Sequence, residues 1–286
     1  MLRRISRLLL TIAFFALCCL AGPRADAQTR LLNDEFRMFK NFPSKILSNE
    51  RDVIIWLPPG YFDEGSTRRY PVLYMHDGGS VFVLWRIDEI AKPLIASGQI
   101  EPLIIVMIYN GGTSEARFDE YTPTRPRGFK NGGKADAYGR MLIEELKPFI
   151  DRELRTLPDA ANTGLGGASL GGIATLHLGL THPEVFGKLA VVSPSLWWDN
   201  KLLIRNVKAL EAKPPLRIWL DIGTGEGAGT ADTVRELRDA LVNKGWTLSS
   251  DLTYFEAKGS GHDDREFSKR AGPILKFLFP ARSAGQ

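Results

Sequence analysis

Short apolar runs punctuated by glycine and proline dominate the first half of the chain. Residues 52–57 alternate and favour β-branched side chains until Pro58-Pro59-Gly60 stops them, which predicts an early strand. Residues 71–75 are continuously apolar and lead into His76-Asp77-Gly78-Gly79, the pattern of a buried strand that ends in a glycine loop. Helical spacing follows over 85–97, and 103–108 is again an apolar run of strand length. Residues 135–154 carry apolar positions at helical spacing, with Pro148 placed to kink them. Ahead of these elements, 28–50 reads as a polar lead-in.

From Leu165 onward the alternation is regular. A strand begins there, and helices are expected over 170–181, 201–210, 231–244 and 265–279, with strands over 189–192, 216–222 and 252–256 between them. Strands alternating with helices predict an α/β architecture, a mainly parallel sheet covered by helices on both faces. Residues 110–134 interrupt this order. They are rich in Gly, Pro, Arg and Asp and too long for a routine connection, so a functional loop or lid is expected. Arg117, Arg125, Arg127, Lys130 and Lys134 outnumber Glu115, Asp119 and Glu120 there. A solvated loop surface accounts for that excess, the other reading being a basic lid suited to anionic esters, with Arg117 as a candidate substrate contact.

The amino terminus has a different character. Arg3, Arg4 and Arg7 precede an apolar run over 8–20, and Ala25-Asp26-Ala27 ends the segment with small residues at the positions that a signal peptidase reads. This predicts a secretory signal peptide over 1–27 and a single catalytic domain over 28–286. The run is shorter than the ~20 residues of a membrane-spanning helix, so no stable membrane insertion is expected after cleavage. Cleavage would remove Cys18 and Cys19, leaving a mature chain with neither a disulfide nor a thiolate metal site. It would also remove four arginines and one aspartate, bringing the formal charge from +4 to +1, so the basic balance of the full chain gives no reason to expect a nucleic-acid partner.

Gly167-Ala168-Ser169-Leu170-Gly171 matches G-x-S-x-G between an apolar strand and a helix, the context of a nucleophile elbow. The sharp turn strains the serine, and the residues two before and two after must lack bulk where the chain folds back. A helix-capping serine would explain the pentapeptide alone. Ser169 becomes the candidate nucleophile because a carboxylate turn, Gly223-Thr224-Gly225-Glu226, and a late Gly259-Ser260-Gly261-His262 follow it in the order serine, acid, histidine.

His262 is the candidate base, since it follows a strand in a glycine-rich loop, whereas His76, His177 and His182 read as structural. Glu226 is the candidate acid, with Asp232 and Asp221 as alternatives. No second histidine stands at ligand spacing from His262-Asp263-Asp264, so neither a metal nor another cofactor is expected. Trp197 and Trp198 follow the strand after the nucleophile, and at least one of them is expected to flank the site, the alternative being that both are core.

At these residues the chain resembles the putative-esterase family, which includes enterochelin, feruloyl and acetylxylan esterases, S-formylglutathione hydrolases and mycolyltransferases. The resemblance is carried by Tyr74-Met75-His76-Asp77-Gly78, residues 119–123, 145–151 and 167–172, His182-Pro183-Glu184-Val185-Phe186-Gly187, and Ser193-Pro194-Ser195-Leu196-Trp197-Trp198, the last being most like the enterochelin-esterase branch. It implies the α/β-hydrolase fold, a serine esterase acting on a small-molecule ester, and an oxyanion hole made by the backbone amides of Gly79 and Leu170. It also places the family's acid position on Glu226. The chain departs from its relatives at Gly79-Ser80, where Gln-Asn is frequent; a backbone donor tolerates that change, so substrate specificity is what the departure puts in question. An acyltransferase or a serine peptidase would use the same residues, and a non-catalytic binding module is the rival from another class.

Overall fold

The computed structural model describes residues 32–281, so the expected signal peptide lies outside the described residues. Eight strands form one sheet in the order β1-β2-β4-β3-β5-β6-β7-β8: β1 Phe36–Ser44, β2 Asn49–Trp56, β3 Val72–Met75, β4 Ile104–Ile108, β5 Thr163–Ala168, β6 Lys188–Val192, β7 Arg217–Gly223 and β8 Leu252–Ala257. Strand β2 runs antiparallel to β1 and β4, and the neighbours from β4 to β8 are parallel. This is the α/β-hydrolase fold that the resemblance implies. Strand β1 occupies the polar lead-in, where no strand was expected. It is an edge strand whose Arg37 and Lys40 lie outside the core and whose register slips between Phe39 and Phe42, features that blunt an edge and erase a clean period of two.

Alternate residues of each central strand face opposite layers, and both layers are buried, so the strands read as continuous apolar runs. Val72, Tyr74, Val106, Leu165 and Val191 join one core, under the helical run at Ala135–Glu153 and the helices Leu202–Ala209 and Thr230–Asn243. Leu73, Met75, Met107, Ala190 and Val192 join the other, under Ile87–Ala96 and Asp264–Leu278. Pro148 does not break the Ala135–Glu153 run. A π-helical segment, Met141–Leu146, ends just before Lys147 and Pro148, and the helix runs on to Glu153. Among the described residues no helix is long and apolar enough to cross a membrane.

The long 110–134 segment is only partly a free loop. A helix spans Ser114–Tyr121, capped by the Thr113 hydroxyl, which accepts from the Ala116 amide at 3.1 Å. Its end is anchored by a buried ion pair: both Arg51 terminal nitrogens donate to Glu120, at 2.9 and 3.0 Å, with side-chain exposures of 0% and 4%. Glu120 also accepts from Asn49 and the Gly111 amide. Tyr121, fully buried, accepts from the Asp77 amide at 3.0 Å and so ties the segment to the loop after β3. Arg125, Arg127 and Lys130 lie on the exposed remainder.

His76 is the wedge beneath the strand-to-helix turn at Ser169. A Cβ on Gly167 would lie 3.0 Å from the His76 ring and 3.0 Å from the Gly171 backbone, and one on Gly171 would lie 3.3 Å from His76 Cβ. At Gly167 a side chain would press on the imidazole as well as on the turn, and at Gly171 the tight neighbour is the His76 Cβ. His76 Nδ1 pairs with the Tyr138 hydroxyl at 2.9 Å, Nε2 has no hydrogen-bond partner among the described residues, and burial lowers the ring's pKa to about 4.

Two outcomes follow. The neutral His76 contributes stability that is complete above its unfolded value near 6.5 and is lost as pH falls toward about 4, at up to about 1.4 kcal/mol per pH unit. The difference in unfolding free energy between the wild type and His76→Gln, measured by urea titration at several pH values, should carry that slope across that window and be flat above it. Glu120→Ala should cost about 3–5 kcal/mol by leaving Arg51 buried without its carboxylate, and the Arg51→Met/Glu120→Leu double variant should recover much of it; a near-native denaturation midpoint for Glu120→Ala contradicts the anchoring role.

Candidate active site

Strand β5 delivers Ser169 at its carboxyl end, immediately before the helix Leu170–Thr181, with φ 60 and ψ −118. Such a backbone is costly for a residue with a side chain and persists only where its surroundings determine it. Here the Ser169 amide donates to Val192 O at 3.0 Å, while its carbonyl accepts from the Ser195 and Ile173 amides, each at 3.2 Å. The Ser169 side chain is left partly exposed in a cleft of about 340 Å³.

The same cleft is lined by His262, Asp77, Asn110, Arg117, Trp85 and Phe267. His262 follows β8 in the loop before Asp264–Leu278 and packs edge-on against Phe267 at 5.1 Å. Its Nδ1 bonds to Glu226 Oε2 at 2.7 Å, which leaves Nε2 as the nitrogen available to the cleft. The hydrogen bond of Ser169 Oγ among the described residues is to Ser195 Oγ, at 3.0 Å, rather than to His262. Serine and histidine thus share one cleft without a direct bond.

Glu226 follows the turn after β7 and is buried with its carboxylate fully engaged. Oε1 accepts from the Gly223 amide at 2.7 Å and from the Ser193 hydroxyl at 2.5 Å, and Oε2 takes His262. Asp221, one of the alternatives, is wholly buried within β7, two residues before the strand ends. It accepts from Trp219 Nε1 at 2.7 Å, the Ser193 amide at 3.0 Å and Arg270 at 2.5 Å. Burial pushes its pKa up to about 6 in spite of the Arg270 guanidinium. Asp232 lies in the first turn of Thr230–Asn243, paired with Arg235 at the surface. Of the three carboxylates, Glu226 is the one bonded to His262.

The loop after β3 turns at Asp77, whose φ is 54, into the short helical segment Gly78–Ser80. Burial raises the Asp77 pKa, but a bidentate Arg117 fork, with both bonds at 2.8 Å, and a bond from Asn110 outweigh it and hold the carboxyl below its usual range. Arg117 lines the cleft, with Nε and one terminal nitrogen committed to Asp77. Gly79 and Leu170 both lie in the first turn of helical segments, where amides lack intrahelical acceptors. A Cβ at Gly79 would come within 3.0 Å of the Tyr109 ring, so this chain fills with Tyr109 the space that a larger residue would need.

The tryptophans separate. Trp198 is 2% exposed and packs against Phe118 and Phe129, its indole N–H donating to Thr124 O at 3.2 Å. Its ring belongs to a core cluster and lies outside the residues that line the cleft. Trp197 is 49% exposed and stacks on Phe129, outside the residues that line the cleft. The other histidines are held as structural groups: His177 pairs with Asp136 at 2.7 Å and His182 with Glu184 at 3.3 Å. Sequence reasoning assigned no role to Ser193, Ser195 or Arg270, although the first two stand in a stretch that carried the resemblance; only the fold brings them to the acid and the nucleophile.

The family model described as putative esterase matches residues 44–273. The chain is 28% identical over 218 residues to the ferri-bacillibactin esterase BesA of Bacillus subtilis, covering 68% of this chain and 73% of that protein. It is 33% identical over 166 residues to an endo-1,4-β-xylanase/feruloyl esterase of Xylanibacter ruminicola, covering 55% of this chain and 21% of that longer protein. Among solved structures, the BES protein of Bacillus cereus superposes with a TM-score of 0.71 at 22% identity, covering 90% of this chain and 99% of the other, a likeness of fold. The chain belongs to the putative esterase family and is a carboxylic ester hydrolase built on the α/β-hydrolase fold.

Proposed function

We propose that the protein is an exported serine esterase that works through an acyl-enzyme, with Ser169 as nucleophile, His262 as general base and Glu226 as the acid that orients it. The observation that carries this reading is the 2.7 Å bond from His262 Nδ1 to a buried Glu226, at a cleft that also holds Ser169 on a strained turn. Glu226 fixes the tautomer with the proton on Nδ1 and stabilises the imidazolium that forms when Nε2 takes the Ser169 proton. Ser169 Oγ then attacks the ester carbonyl, the amides of Gly79 and Leu170 hold the oxyanion, and the imidazolium returns the proton to the leaving alcohol. Water activated by His262 releases the acid. Removing one oxyanion donor in such a site costs about 10²–10³ in rate.

The relatives named as siderophore and feruloyl esterases favour a siderophore or phenolic ester as substrate class, and an acetyl ester is the third candidate, carried by the resemblance alone. Arg117 and the exposed Trp197 are candidate contacts for the parts of the substrate that extend beyond the reacting carbonyl. Residues 1–27 act as the signal peptide, and 28–286 form the single catalytic domain that reaches a periplasmic or extracellular ester.

On a short-chain nitrophenyl ester, Ser169→Ala and His262→Ala should each lower kcat by ~10⁴ or more, with the double variant little worse, because the pair acts as a unit. Glu226→Ala should lose ~10²–10⁴ in kcat with KM little changed. Retention of activity by Glu226→Ala, with collapse in Asp221→Ala or Asp232→Ala, would move the acid. Export has its own check: intact-mass measurement of the periplasmic or secreted protein should give a chain beginning at Gln28, and a mass that includes Met1 to Ala27 contradicts cleavage.

A further inference from the structure

The turn after β6 touches both ends of the proposed triad. Ser193, with φ 40, donates its hydroxyl to Glu226 Oε1 at 2.5 Å and accepts from Arg270 at 3.0 Å. Two residues on, Ser195 makes two contacts with Ser169: its amide donates to the Ser169 carbonyl at 3.2 Å, and the two hydroxyl oxygens stand 3.0 Å apart. Pro194 between them packs where a Cβ on Gly172 would come within 3.1 Å, so the turn is wedged against the first turn of the helix that follows the nucleophile. Ser195 is itself 8% exposed.

We propose that Ser195 is a positioning residue for acyl transfer, its hydroxyl donating to Ser169 Oγ and holding the nucleophile in one rotamer, so that the Ser169 proton is not shared with Ser195 and is free to pass to His262 when the two close on a substrate. This rests on the reading of Ser169 as nucleophile. A serine hydroxyl on a free side chain distributes among three staggered rotamers, and a hydroxyl fixed relative to the backbone it braces removes that freedom before substrate arrives. The direction of the bond follows from the proton count. Ser169 has one proton and must give it to His262 Nε2, so the proton between the two serines belongs to Ser195 and stays there throughout; no bond to Ser195 forms or breaks. The amide contact alone would leave Oγ free to rotate, and the hydroxyl supplies the second point that fixes it.

Ser195→Ala tests the assignment in the intact protein. The rate of Ser169 labelling by a fluorophosphonate and kcat on a nitrophenyl ester should fall together by about tenfold, the scale of one lost hydrogen bond and a misoriented nucleophile. KM and the melting temperature should be unchanged, and Ser195→Thr, which keeps the hydroxyl, should restore most of the rate. A Ser195→Ala enzyme labelled at Ser169 as fast as wild type, or faster, overturns the positioning role and leaves the nucleophile assignment standing. Labelling that persists in Ser169→Ala overturns the nucleophile assignment itself. Should the alanine variant fail to fold, Ser195→Cys gives the same test with a weaker donor of similar size: an intermediate labelling rate supports the role, and an unchanged rate refutes it.

Discussion

The backbone of Ser169 is the constraint on which the rest depends. A side-chain-bearing residue at φ 60, between a fully buried strand and an almost fully buried helix, must be held by contacts on every side. Those contacts account for much of the sequence around it. Gly167 and Gly171 make room for each other and for His76, Val192 O receives the serine amide, and the turn at Ser193–Ser195 closes on the serine carbonyl. In return, the turn presents the Ser169 side chain to the cleft at the start of a helix, whose first-turn amides lack intrahelical acceptors.

A second principle governs the charges around the site. Asp77 is matched by Arg117, Glu120 by Arg51 and Asp221 by Arg270, each pair built from segments distant in the chain. The second and third of these pairs are buried and the first is half-buried; a buried pair adds little net stability, because desolvation opposes the attraction, but losing one partner is severe. They fix the loop after β3, the 110–134 segment and the turn after β6 in place. Glu226 differs: Arg270 stands 3.8 Å from one of its oxygens while the other is given to His262. That carboxylate is held by an amide and a hydroxyl rather than by a close guanidinium, and it is the one that meets an imidazole.

The fold was legible because the parallel strands are buried on both faces and so read as unbroken apolar runs. Strand β1 was not, since an edge strand with a register slip offers neither an apolar run nor a period of two. Candidates for nucleophile, base and acid could be named from glycine-rich turns and their order along the chain, and the structure joins two of them, Glu226 and His262, by a direct bond. Trp198 could not be told from a cleft residue, because an aromatic residue at a strand end looks the same in sequence whether it packs on Phe118 and Phe129 or faces a ligand. The roles of Ser193, Ser195 and Arg270 depend on contacts across 26 to 77 positions, which no local pattern encodes.

The central claim is a covalent one, so the most direct measurement looks for the covalent species. The enzyme would be mixed with an activated aromatic ester, quenched in acid within the first turnover, and digested for peptide mass mapping. The expected result is the acyl mass on the peptide that contains Ser169, absent after Ser169→Ala. An adduct on the peptide that contains Ser195, or steady turnover with no adduct and no burst of released alcohol at any quench time, would contradict it.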